Sequence, residues 1–70
     1  MDIQTAIREI NKAAQSAKSG ALIHYAVTYA NAMHDMEGYE LHVQSLYVLN
    51  NLSAWRGETA REVKAFLKTL

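Results

Sequence analysis

The sequence predicts an all-α protein, a compact helical bundle of about four short helices packed as a homo-oligomer. Three observations carry this. The 70 residues contain no proline, and three glycines, Gly20, Gly38 and Gly57, divide them into four segments of helical length. Apolar residues recur at helical spacing, and no alternating strand pattern competes. Residues 1–70 read as a single helical domain, with helices over approximately 2–18, 21–35, 39–54 and 58–69.

In the first segment Asp2 is a candidate N-cap. Ile3, Ala6, Ile7, Ile10, Ala13, Ala14 and Ala17 fall in a stripe about 120° wide. Arg8, Lys12 and Gln15 take the opposite face, and Lys18, Ser19 and Gly20 form a C-terminal stop. The second segment is apolar over more than half its circumference, through Leu22, Ile23, Tyr25, Ala26, Val27, Tyr29, Ala30, Ala32 and Met33. His24, Thr28, Asn31 and Asp35 are its polar strip, and its alanines suit close helix approach.

The third segment is apolar on nearly every side. Leu41, Val48 and Leu52 share a face, while Val43, Leu46, Tyr47 and Leu49 are spread around the rest. Such a helix expects burial all round, yet only three other helices are on hand to cover it. Val43, Leu46, Tyr47 and Leu49 are therefore the expected oligomer interface. The fourth segment carries Ala60, Val63, Phe66, Leu67 and Leu70 as its stripe. Arg61, Lys64 and Lys68 run along one flank, with Glu58 and Glu62 on the other.

Composition narrows the function classes. The chain is 50% apolar and 20% charged, too hydrophobic for disorder and too interrupted by polar residues for a membrane span. Neither a secretory signal nor a membrane partner is expected. Seven basic residues balance seven acidic ones, which removes the electrostatic argument for nucleic acid or anionic lipid. Residues 51–70 are nevertheless mildly positive, with four basic and two acidic groups. The absence of cysteine rules out disulfides and thiolate metal sites. Without those staples a chain of this size depends on regular helix packing and self-association, a twofold dimer being the first expectation.

No catalytic or metal constellation assembles. His24, His34 and His42 are separated by ten and eight residues, whereas a helical zinc pair sits at i and i+4. They are expected to be surface or hydrogen-bonding histidines, with no metal and no cofactor. The serines lack a nucleophile elbow, no glycine-rich phosphate loop is present, and a non-enzyme is expected. Helix four as a DNA reader is weak, having three cations in a neutral protein.

The densest chemical signal runs from Asn50 to Arg61. As plain structure it is a helix–helix corner: Gly57 permits a positive φ, Trp55 packs on the core and Glu58 suits a helix first turn. As a binding site it offers a helix N-terminus, arginine forks from Arg56 and Arg61, and a Trp55 ring on which a planar group can stack. The structural reading is favoured, because a tryptophan at a helix junction ordinarily buries area. Trp55, Arg56, Glu58, Arg61 and Lys64 are the candidate ligand- or partner-binding residues. Tyr25 and Tyr29, one turn apart, are expected to bury their rings and expose their hydroxyls, a habit that also suits an interface.

The stretch from His42 to Lys64, with Val43-Gln44, Leu46-Tyr47, Leu49, Asn51-Leu52, Trp55-Arg56-Gly57-Glu58, Ala60-Arg61 and Val63-Lys64, resembles small, mostly uncharacterised phage and prophage proteins. These end in a VQ-x-LY-x-L-x-NL-x-x-WRGE-x-AR-x-VK pattern. The resemblance covers about a third of the chain, and more loosely Tyr29 to Met33. It implies a phage accessory protein acting in the cytoplasm of an infected or lysogenic bacterium, and it carries over no site residues. The expected function is non-enzymatic: binding and antagonising a host or antiviral-defence component. One alternative is an oligomeric sponge that sequesters a nucleotide-like signal molecule at the Trp55–Arg61 corner. The other is a structural or assembly protein without a ligand.

Overall fold

A computed structural model describes all 70 residues. The chain folds into α1 (Ile3–Gln15), α2 (Ile23–Ala32), a 3-10 turn (Met33–Asp35), α3 (Gly38–Asn50) and α4 (Glu58–Leu67), with no strand. The all-α expectation is met, and the envelope measures 33 × 22 × 17 Å. No helix is long and apolar enough to cross a membrane.

Each helix stops where local hydrogen bonds satisfy its end. Asp2, extended in backbone, accepts the Thr5 N–H at 2.8 Å and caps α1. α1 closes at Gln15, earlier than the glycine stop suggests, because the Ser16 and Ala17 N–H groups turn back to the Ala13 and Ala14 carbonyls. α3 likewise ends at Asn50 rather than near Ala54. The Asn51 and Leu52 N–H groups bond to the Val48 and Leu49 carbonyls, and the Asn51 side chain donates to the Tyr47 carbonyl at 2.9 Å.

The helices form a ring: α2 packs on α1 and α3, α4 packs on α1 and α3, and α2 and α4 lie diagonally opposite with no close backbone approach between them. The core fills the centre of that ring. α1 contributes Ala6, Ile7, Ile10 and Ala14, α2 contributes Ile23, Ala26 and Ala30, and α4 contributes Val63 and Leu67. Met33, Val48 and Leu52 complete it.

Two helices are less enclosed than their composition suggests. α2 buries a stripe in which two of three residues are alanine and leaves Leu22, Tyr25 and Tyr29 exposed. α3 fully buries only Ser45 and Val48. Its Leu46 and Tyr47 are exposed, and Val43 and Leu49 are half-buried. The reason is geometric: in a four-member ring each helix has two neighbours, so its outer half has nothing to pack against.

Candidate binding corner

The segment from Asn51 to Gly57 carries the chain from α3 into α4. Leu52 anchors it, wholly buried, and the Trp55 N–H donates to the Leu52 carbonyl at 3.0 Å. Gly57 then turns the backbone at φ 115° and ψ 178°, a region essentially restricted to glycine. That turn sets the direction of α4, whose Ala60, Val63 and Leu67 reach the core.

Trp55 is half-buried and packs against the core cluster. Two depressions meet it. One, of about 170 Å³, is almost wholly apolar and is walled by Ala13, Ala17, Leu22 and Ala54 together with the indole. The other, of about 270 Å³, is shallow and polar, with Glu9, Lys12, Ser16 and Thr59 around the same ring. The ring is thus both packing element and exposed wall, so each sequence-based reading of Trp55 captures half of its environment.

Lys64 ties the corner to α4. Its ammonium donates to the Trp55 carbonyl at 2.6 Å across nine residues. Burial pushes the Lys64 pKa below its ordinary range, and the like charges of Arg56 and then Lys68 push it the same way. No carboxylate is among the groups acting on it. Arg56 and Arg61 are exposed, and Arg8 is the one arginine whose guanidinium finds a hydrogen-bond partner. α4 has no side-chain cap, and its first internal bond is from the Arg61 N–H to the Gly57 carbonyl. The result is a cationic rim beside a flat aromatic wall, a combination suited to an anion that carries a planar or apolar group. Glu58, exposed at the same helix start, offsets part of that field.

Of the candidate binding residues, Trp55, Arg56 and Lys64 stand together, and Glu58 and Arg61 occupy the first turn of α4. Of the candidate interface residues, Leu46 and Tyr47 lie open, whereas Leu49 packs against the core.

The histidines remain apart. A ring nitrogen of His24 meets the Lys18 carbonyl at 2.9 Å, one of His42 meets the Leu70 carbonyl at 3.3 Å, and His34 is exposed. Nowhere do three or more His, Cys, Asp or Glu side chains gather as a metal site would require.

Sequence reasoning missed Ser45, the one buried polar residue, whose hydroxyl donates to the His42 carbonyl at 2.6 Å. Its signal was its position: Ser45 falls on the same face as Leu41, Val48 and Leu52. The Asn11 to Asn31 side-chain bond between α1 and α2, at 3.0 Å, left no mark in the sequence.

Comparison with protein-family models, with curated proteins and with solved structures finds no match for this chain.

Proposed function

We propose that this chain is a non-enzymatic, phage-type accessory protein that binds and antagonises a host or antiviral-defence component in the bacterial cytoplasm. Trp55, Arg56, Arg61 and Lys64 form its contact corner. The carrying observation is Lys64, a cation fixed by a hydrogen bond, crowded by Arg56 and Lys68 and relieved by no carboxylate. Uncompensated like charge is unfavourable in the free protein, and an anionic partner removes that cost on binding. Self-association, a dimer first, belongs to the same reading.

A second reading is the sponge, which sequesters a nucleotide-like signal molecule instead of contacting a protein. The two depressions beside Trp55 favour it. The indole offers a wall on which a base can stack, and Lys12 lines the larger depression, of about 270 Å³, as a contact for a phosphate.

Native mass spectrometry of the protein recovered from phage-infected cells tests both. A retained protein supports direct antagonism, and a retained mass of a few hundred daltons, roughly that of a nucleotide, supports the sponge. Recovery of the bare chain, together with no anti-defence activity of the wild type, would sink both and leave the structural role, whereas full activity of an Arg56→Ala, Arg61→Ala double variant would remove the corner alone.

A further inference from the structure

The outer surface shared by α2 and α3 is unlike the rest of the molecule. Residues 19–34 and 41–55 contain no Asp, Glu, Lys or Arg, so the formal charges sit on and beside α1, on α4 and the corner before it, and around the start of α3, where Glu40 lies in the first turn. Leu22, Tyr25 and Tyr29 fall within a narrow arc of α2, and their side chains are 43%, 60% and 38% exposed. On α3, Leu46 and Tyr47 are 47% and 50% exposed. Tyr29 and Tyr47 stack across the seam, with ring centroids 5.5 Å apart and planes 21° from parallel. The Gln44 side chain donates to the Tyr29 carbonyl at 2.9 Å beside them. The two helices therefore present one continuous surface.

We propose that this surface is where two copies of the chain associate about a twofold axis, with Tyr25, Tyr29 and Tyr47 at its centre. Area supports it. At roughly 200 Å² for a large side chain, the exposed parts of these five residues come to roughly 500 Å². A standard interface takes roughly 800 Å² from each partner, so the five provide more than half of one partner's share. Thr28, Ala32, Val43 and Asn50 border them on the outer sides of the same helices.

Charge selects the occupant. A twofold interface sets a surface against itself, and a charged face so placed repels itself. Apart from Glu40 in the first turn of α3, seven residues before Tyr47, this face carries no formal charge. Tyrosine hydroxyls and the Asn50 amide both donate and accept, so identical groups can pair across an axis. A strongly charged partner would find nothing here to steer it. α4 adjoins α3 but not α2, so Arg61, Lys64 and Lys68 are away from the α2 half of the contact. The inference deepens the self-association in the proposed function and moves its centre from α3 alone to the α2–α3 seam.

Sedimentation equilibrium from low micromolar to near-millimolar concentration tests it, on the wild type and on a Tyr25→Glu, Tyr47→Glu double variant. The wild type should self-associate. The variant, burying two carboxylates if it paired, should associate at least ~100-fold more weakly with unchanged helical circular dichroism. If the variant fails to fold, single cysteines in this cysteine-free chain decide instead. Tyr25→Cys and Tyr47→Cys in the assembled protein should react slowly with a bulky maleimide, and Gln4→Cys and Glu62→Cys should react fast. A monomer at every concentration overturns self-association altogether. An assembly that the double variant leaves intact, or in which the face cysteines react as fast as the others, overturns this face alone.

Discussion

The Lys64 ammonium sits 2.6 Å from the carbonyl oxygen of Trp55, and that bond joins the α3–α4 corner to the flank of α4. It places a cation where Arg56 and Lys68 already repel it. The corner is therefore locally destabilised in charge while being held in place by hydrogen bonding. Sites that bind anions share this state, since the ligand completes the electrostatics.

The Lys64 titration reports this directly. Its pKa is held below the ordinary 10.5, by burial first and by Arg56 next. In the folded protein the proton leaves earlier than in the unfolded chain. Through this group stability is lower at neutral pH and rises as pH climbs through the depressed value towards 10.5. Arg56→Ala removes one like charge and should move the Lys64 midpoint upward. Added pyrophosphate should do the same in the wild type. Side-chain NMR titration of Lys64 reads both, and a midpoint unmoved by either would show that no anion site forms around it.

Trp55→Ala and Arg56→Ala should separate stability from binding. Trp55 is half-buried against the core, so its truncation should cost about 2 kcal/mol, less than the ~3–5 kcal/mol of a fully buried ring. A 70-residue domain should survive that loss with a lowered melting temperature. Arg56 is exposed, and its removal should change stability by less than ~0.5 kcal/mol. Both variants should bind the anionic partner more weakly. The wild-type affinity should also fall as salt rises, because the guanidinium stays charged at all relevant pH. Urea denaturation and calorimetric titration supply the two readouts.

Gly57→Ala should destabilise although a methyl group there would meet nothing within 4 Å. The cost is conformational. A φ of 115° with ψ near 180° is a glycine region, and forcing alanine into it costs about 1–3 kcal/mol. A melting temperature equal to wild type would mean that α4 can start from a different turn.

Asp2 should make the stability of α1 acid-sensitive. Its carboxyl is held below the ordinary 3.8, first by the Thr5 backbone N–H and then by the Thr5 hydroxyl. A depressed acid contributes stability that is complete above its unfolded value and is lost as pH falls through its folded one. The melting temperature of the wild type should therefore exceed that of Asp2→Ala at neutral pH. The gap should close as pH drops below 3.8. A gap that persists in strong acid would show that the cap does not depend on the ionised carboxylate.

How much of this could be read from the chain differs from element to element. The α1 stripe was open to view because its apolar residues repeat at a spacing only one regular structure uses, and Ala6, Ile7, Ile10 and Ala14 are its buried members. The Val48 and Leu52 face was visible for the same reason. Helix ends were harder: α1 and α3 stop on carbonyl bonds made by Ser16, Ala17, Asn51 and Leu52, and no special residue type announces them. Trp55 and Arg56 could be picked out by residue type. Their link to Lys64 spans nine positions and depends on the angle at which Gly57 launches α4.

By itself the sequence determined that the chain is helical, where its breaks fall and which residues carry chemistry. Those properties come from local sterics and from apolar spacing within a turn or two. Tertiary structure alone decided which apolar side chains are enclosed. Ile23 is buried while Tyr25 and Tyr47 stand half or more exposed, although all three count as hydrophobic in the pattern. Periodicity says that a face is apolar, but burial needs a neighbour on that face, and in this ring α2 and α3 have none on their outer sides.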